Sequence, residues 1–423
     1  MTEGDNVTVP SPSSQRTAWL MLLLLISGFS LSQAFRTAAA IMAPPLQQAF
    51  ALTPQQLGLF AAAFHFSFAA PQLFMGMAID IYGPGRTITW VFPLAIIGAL
   101  VTAVAPNYPT LLAGQVLTGM GCGPAFLVCT VFIARNFPPE RFAAINGAAL
   151  GIGSVGLLLT GTPLAYVIEQ YSWRAGFLAL AGCAALAWLA ILLFMREKRP
   201  TPQGQRLDVL GALRGYGEIF RLRHTPGIIA LVLFSYAAFM ALRGLWLGPM
   251  LIERHGYSLV AAGNVAVAIS VLGMIGAPLF GRLDPGEHSR RAWILASALA
   301  TAACFIGIAL QPGDAAEVAL ALAISLLSGF CTLQYADVRS AYPARMTGRA
   351  MAVFTMAMFL GVALLQWLTG AVASAAEVLQ VERYAAVMTA IGVLLALGAL
   401  AFWKLPKPAA DSAAERGPAQ SRA

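Results

Sequence analysis

The stretch AWLMLLLLISGFSLSQAFRTAAAIMA, residues 18 to 43, decides the fold. A helix needs about 20 residues to cross a hydrocarbon core of about 30 Å, and this run exceeds that length with a single charge, Arg36, inside it. It is too long for the apolar region of a secretory signal, and no small-residue cleavage site leads into a soluble domain, so it reads as a first membrane span. Working outward, eleven more apolar runs follow, at 55–79, 87–105, 109–134, 142–168, 174–195, 226–252, 259–281, 291–311, 315–338, 348–374 and 383–403. Apolar residues make up 59% of the chain and charged ones 10%, against about 25% charged in a soluble domain. The runs are continuous rather than alternating, which excludes a β-barrel. The expected fold is an all-α polytopic membrane protein, with twelve transmembrane helices in two pseudo-symmetric six-helix bundles around a central cavity.

Lys and Arg concentrate in cytoplasmic loops. With the amino terminus placed in the cytoplasm, 21 of the 26 fall on that side, and the outward loops hold only Arg174, Arg254 and Arg383. A bacterial-type inner membrane with both termini cytoplasmic is expected. The net charge of +8 is then a topology signal, and no nucleic-acid partner is implied. Cys122, Cys129, Cys183, Cys304 and Cys331 lie within spans without CxxC spacing, so they read as small packing residues. No metal or cofactor is expected.

The polar stretch from Arg196 to Gly227 divides the spans six and six. The expected organisation is a disordered terminus at 1–16, a bundle at 17–195, a basic linker with a short surface helix at 196–225, a second bundle at 226–404 and a disordered tail at 405–423. The halves look like copies. Arg36 precedes Gly58 by 22 residues, and Arg243 precedes Gly263 by 20. Internal repeats of this kind build many secondary transporters. Small residues at Gly119, Gly121, Gly123, Gly147, Gly151 and Gly156 suit close helix packing.

A cation in mid-membrane costs at least about 2.5 kcal/mol on insertion scales and usually faces a cavity. Arg36 lies 8 residues before Pro44 and Arg243 lies 9 before Ile252, which puts each about 12 Å inside the outward boundary. None of the 18 acidic residues sits near a span centre; Glu169, Glu253 and Asp337 sit at ends. Two such guanidinium groups converging from opposite halves would make a cavity suited to carboxylate or phosphate oxygens. The competing reading has each arginine snorkelling or bonding to backbone carbonyls. Gln33, Tyr236, Trp246, Asn264, Gln334, Tyr335 and Gln366 are further candidates for lining the substrate path, and each could equally join helices. His65 is the only histidine within a span and the candidate proton carrier, with a neutral structural histidine as the alternative.

Between spans two and three stands GMAIDIYGPGR, residues 76–86. It resembles the loop signature of the major facilitator superfamily, carried here by Gly76, Asp80, Gly83 and Arg86, with the basic residue a position or two late. GQVLTGMGCGPAF at 114–126, FPPERFAAING at 137–147, YSWRAGF at 171–177 and a weaker second loop copy, GAPLFGRLDPGEHSRR at 276–291, extend the resemblance along the chain. The resemblance implies that Asp80 and Arg86 form an inter-helix charge pair with a gating role. It also implies an anionic substrate, because organophosphate and organic-anion branches are similar in placing arginines in spans one and seven. Two departures, Gln115 where many proton-linked members have arginine and GTPLAY at 161–166 in place of the antiporter signature, weigh against a proton-driven drug exporter.

The expected function is secondary transport of a small organic anion by alternating access, with protons as the partner ion. An anion entering against the membrane potential is opposed by about 2.3 kcal/mol per charge per 100 mV, which cotransported protons offset. Alternatives are export of a drug or of an anionic metabolite such as a siderophore, or a non-transporting membrane sensor. An enzyme is not indicated: there is no phosphate-binding loop and no recurring set of nucleophile, base and orienting group. The partners expected are the anion, protons and membrane lipid, with no obligate protein partner evident.

Overall fold

The computed structural model describes residues 12–138, 141–195 and 217–406. Of the expected disordered tails, residues 12–16 instead begin the first helix and 405–406 follow the last; the rest of the tails and the linker up to residue 216 lie outside the described residues.

Eleven of the described helical segments are long and apolar enough to cross a membrane. The remaining span, α2, is divided at Pro71 into Pro54–Ala69 and Gln72–Tyr82, because proline has no N–H for the helical ladder. With it there are twelve traverses. In the first half α1 is Pro12–Phe50, α3 is Pro84–Val91 with Pro93–Ala103, and α4 is Tyr108–Cys122 with Ala125–Asn136. Next come α5, in three pieces (Phe142–Gly153, Gly156–Leu159, Thr162–Gln170), and α6, Trp173–Phe194. In the second half α7 runs from Thr225–Ala241 through two π-helical turns, Leu242–Trp246 and Met250–Arg254, on either side of Leu247–Pro249. Then follow α8 (Leu259–Arg282), α9 (Glu287–Ala309), α10 (Asp314–Leu327, Ser328–Phe330 and Cys331–Ala341), α11 (Ala344–Val378) and α12 (Arg383–Lys404).

Helices α1 and α12 begin and end at one end of the bundle, here the termini end. At the opposite, far end, α2, α4, α6, α8 and α12 all start with a side chain bonded to a first-turn N–H, from Thr53, Asn107, Ser172, Ser258 and Glu382. These caps satisfy backbone donors that have no helical partner. On the outside, Leu186 and Leu193 of α6 and Leu397 and Leu400 of α12 are exposed, a surface suited to lipid tails.

The halves meet along three seams, all toward the far end. Between α2 and α11, a Cβ on Gly58 would stand 2.5 Å from the Gln366 carbonyl oxygen and 2.8 Å from Gly370 Cα. Between α5 and α8, a Cβ on Gly161 would stand 2.8 Å from the Gly263 carbonyl oxygen, and the Thr162 hydroxyl donates to Asn264 Oδ1 at 2.5 Å. Between α1 and α7, Gly248 packs on the Ala40 carbonyl. Because α2 corresponds to α8 and α11 to α5, the first two seams are copies of one another. Within the first half, Gly119, Gly121 and Gly156 are also in tight contact, whereas Gly147 and Gly151 have nothing within 4 Å of an added Cβ, so the packing role expected for those two does not hold.

Gly58→Ala should destabilise the protein by about 1–3 kcal/mol, the usual cost of overpacking, while Gly151→Ala should be neutral or slightly stabilising through helix propensity. Thermal melts in detergent check this; equal melting temperatures for the two variants would mean that the α2–α11 seam is looser than described.

Candidate substrate site between the halves

Arg36 sits mid-way along α1 and is 5% exposed. Its Nη1 donates to the Tyr236 hydroxyl on α7 at 3.3 Å. Its guanidinium carbon lies 4.8 Å from the centre of the Phe68 ring on α2 and 4.6 Å from that of Phe359 on α11. A cation over aromatic faces gains from the ring quadrupoles, more so when desolvated. The three helices that touch this group come from both halves, α2 from the first and α7 and α11 from the second, and its Nε has no partner.

Arg243 lies in the first π-helical turn of α7 and is fully buried. Pro249 cannot donate to a carbonyl one turn back, and α7 is irregular on both sides of it. Nε of Arg243 donates to Ser270 Oγ on α8 at 3.0 Å. Its Nη2 crosses to the first half, donating to the Leu157 carbonyl at 2.9 Å and reaching Thr160 Oγ1 at 3.4 Å. The receiving carbonyl is available because α5 is interrupted there: the Gly161 N–H bonds to Leu158 instead of Leu157, at 3.1 Å. Thr160 Oγ1 in turn lies 2.6 Å from Thr37 Oγ1 on α1, next in sequence to Arg36. Symmetric convergence of the two guanidinium groups is thus not what the structure shows. Arg36 is held by aromatic rings and a phenol, Arg243 by backbone and hydroxyls, with Nη1 left unpartnered.

His65 Nδ1–H donates to the Ala61 carbonyl at 3.2 Å, and Nε2 has no partner. The ring is within electrostatic reach of Arg36 and beside Gln366. Gln366 donates from Nε2 to the Met240 carbonyl at 3.5 Å, leaving Oε1 unpartnered, as is Oε1 of the buried Gln33. Three other sequence candidates stand elsewhere. The Trp246 N–H is spent on Thr369 Oγ1 at 2.9 Å, which makes it a brace between α7 and α11. Gln334 accepts from Ser235 at 2.9 Å and lines a small cavity within the second half together with Asp337 and Phe354. Asn264 belongs to the α5–α8 seam. Tyr335, by contrast, packs its ring on Phe354 at 4.7 Å and is within electrostatic reach of Arg36 and Tyr236.

In the loop signature, Gly83 has φ of 86° between α2 and α3, a conformation glycine adopts without steric cost. Gly76 has only a distant neighbour, Leu127 at 4.0 Å, and Arg86 is exposed in the first turn of α3. The Asp80 side chain lies outside the described set, and with it the expected pair to Arg86. The second copy is fully described. Gly286 has φ of 80°, and Asp284 accepts bonds from Arg290 at 2.8, 3.0 and 3.1 Å, which hold its carboxyl below the usual aspartate range. Arg291 reaches Asp337 on α10 at 3.1 Å.

Sequence reasoning missed Phe68, Phe359 and Thr160, and also a far-end cluster in which the fully buried Glu317 of α10 takes Arg254 at 3.0 Å and His255 at 2.9 Å. Adjacent Arg254 and His255 at the end of α7 were the available signal.

Twelve traverses in two related halves, shut toward one end and enclosing buried cations at their junction, define a secondary transporter, and not an enzyme. The model of the Major Facilitator Superfamily matches residues 24–364, and the chain belongs to that superfamily. It is 23% identical over 325 residues to the hexuronate transporter of Bacillus subtilis, covering 74% of this chain and 76% of that one. It is 22% identical over 329 residues to the "Probable sulfoacetate transporter" of Cupriavidus necator, covering 73% and 76%. Among solved structures, a D-xylose–proton symporter superposes with a TM-score of 0.73 at 16% identity, covering 92% of this chain and 98% of that one.

Thr160→Val keeps the side-chain shape and removes the hydroxyl between Thr37 and Arg243. Losing a hydrogen bond to a charged group should lower stability by about 1.5–3 kcal/mol, read as a drop of several degrees in melting temperature; an unchanged melt would mean that this link contributes nothing.

Proposed function

We propose that the protein is a proton-coupled symporter of a small organic anion, with Arg36 as the group that meets the anion. The observation that carries this is a set of buried polar atoms without partners at the junction of the halves: Gln33 Oε1, Arg36 Nε, His65 Nε2, Arg243 Nη1 and Gln366 Oε1. An unsatisfied buried polar atom costs about 1–3 kcal/mol, and more if charged. Two of the five belong to the cations themselves, and with no carboxylate among the groups bonded to either cation the set fits a site completed by a negatively charged ligand. The two relatives named above carry anions in their names, which supports the same class.

The coupling follows from electrostatics. Arg36 faces His65, so a second positive charge on the imidazole is opposed until an anion offsets the first. Anion and proton then bind together, each favouring the other by the same factor. His65 Nε2 is the atom that takes the proton. The glycine seams lie toward the far end, which supports access from the termini end in this conformation; the excess of Lys and Arg in the loops at that end supports placing it in the cytoplasm of a bacterial-type inner membrane. Arg243 offers the anion the two N–H groups of Nη1.

Thermal unfolding against mono- and dicarboxylates, organophosphates and lipophilic cations tests the class. One anion group should stabilise the wild type and lose its effect in Arg36→Gln; stabilisation by cations, unchanged in the variant, would sink the proposal. In proteoliposomes, His65→Gln should abolish uptake driven by an imposed proton gradient and retain exchange of the same anion across the membrane. Gradient-driven uptake that survives this change would remove His65 from the coupling.

A further inference from the structure

We infer that Gln366 is a positioning residue that completes the proton site from the opposite half. Its Oε1 accepts the Nε2–H of a protonated His65, and the proton becomes a clasp between α2 and α11 that forms as the far end shuts; this rests on His65 as the proton carrier. Two contacts fix the register of these antiparallel helices. Gly58 meets the Gln366 carbonyl and Gly370, and farther from the far end the Phe68 and Phe359 rings lie 4.7 Å apart. His65 follows Gly58 by seven residues, two turns along the same face, and so falls between these contacts. Helical side chains lean toward the N-terminus of their own helix, which on antiparallel helices turns His65 and Gln366 toward each other. The Gln366 side chain lies within hydrogen-bond reach of the ring.

Which atoms face one another follows from the bonds already made. The Ala61 carbonyl takes the Nδ1–H, so Nε2 of the neutral ring is an acceptor. The Met240 carbonyl can only accept, so the amide turns its Nε2 there and its Oε1 to the imidazole. His65 Nε2 and Gln366 Oε1 are both without a partner, in residues 1% and 0% exposed. Two acceptors set against one another away from water lack one hydrogen, and a proton on Nε2 supplies it. The charge that faces the ring is Arg36 of α1. Helix α4 meets this part of α2 through Gly119, at Phe64 and Ser67, and the Tyr236 hydroxyl of α7 bonds to Arg36. Because His65 and Gln366 belong to different halves, proton affinity depends on whether the far end is shut. With the proton bound, the α2–α11 seam gains a charge-assisted bond. Once the proton leaves, acceptor stands against acceptor, which favours reopening of the far end. Such a bond shifts the equilibrium by about tenfold, and the shift acts equally on proton binding.

The test is the far-end separation of the halves in the full-length protein in nanodiscs, read as the distance between spin labels at Val104→Cys and Leu310→Cys. These exposed positions lie in the α3–α4 and α9–α10 loops; Cys183, Cys304 and Cys331, which are not buried, are replaced by alanine. Arg36→Gln is the background, because it removes the charge opposing the proton and with it the need for an anion. Acidification from about pH 8.5 to about pH 4.5, across the ordinary range of histidine, should raise the ratio of far-end-shut to far-end-open molecules at least about fivefold. Gln366→Met, close in shape and without the oxygen, should abolish that response, as should His65→Gln, while Gln366→Glu, which keeps an acceptor, should retain it; leucine replaces methionine if that variant does not fold. A response that survives Gln366→Met and vanishes in His65→Gln overturns the inference and leaves His65 as the proton carrier. A response that survives His65→Gln overturns both. No response in the background overturns the clasp, and the uptake assay of His65→Gln then decides the coupling separately.

Discussion

A guanidinium held within a bilayer must find its partners in the protein, and here each of two finds them across the divide between the halves. Arg36 of the first half is held by Tyr236 and Phe359 of the second; Arg243 of the second is held by Leu157 and Thr160 of the first. Part of the free energy that compensates for burying these charges therefore exists only while the halves are together at this level, the rest coming from Phe68 and Ser270 within each half. Closure of the far end and satisfaction of the cations are one event, and the glycine seams permit it by letting backbones touch.

That arrangement gives the cations a double use. In a molecule that rocks two bundles about a central site, groups bonded across the junction must change partners as the junction parts. Arg36 is bound mainly by ring faces, which are soft and short-ranged, so its partners can change without a strong bond breaking first. Arg243 is bound by a backbone carbonyl and two hydroxyls, a stiffer set, and it couples through Thr160 and Thr37 to the helix that carries Arg36. The pair thus divides into a softly held and a stiffly held cation, although the sequence presents them as equivalents.

Run length and charge placement made the helical architecture legible, since in lipid a long apolar segment has few options other than a helix. Arg36, Gln33, Gln366, Tyr236 and His65 were legible as a group because a polar side chain at span centre is costly and conspicuous. The break of α2 at Pro71 was less visible inside an otherwise apolar run. The partners of Arg243 were not legible at all: a backbone carbonyl leaves no residue signature, and it becomes available only where α5 is interrupted, 86 residues away in the chain. Trp246, Asn264 and Gln334 are polar-tipped residues of the same kind within spans, and only the packing of the helices shows that their polar groups are taken by Thr369, Thr162 and Ser235. Glu317 was missed because its burial depends on α7, α10 and α12 meeting at the far end.

The two π-helical turns of α7 have a consequence for how this helix can move. A π turn holds one residue more than the α turn it replaces, so each is a local surplus of chain within a helix whose ends are anchored, at Thr225 by Tyr342 and at Arg254 by Glu317 and Glu382. Passing that surplus along the helix by one position swings the side chain left behind by about 100° without displacing either anchor. Arg243 lies within the first of these turns and Gly248 between them, so α7 contains the slack to rotate a buried cation from one set of partners to another while its ends stay fixed, a change of winding rather than a tilt of the whole rod.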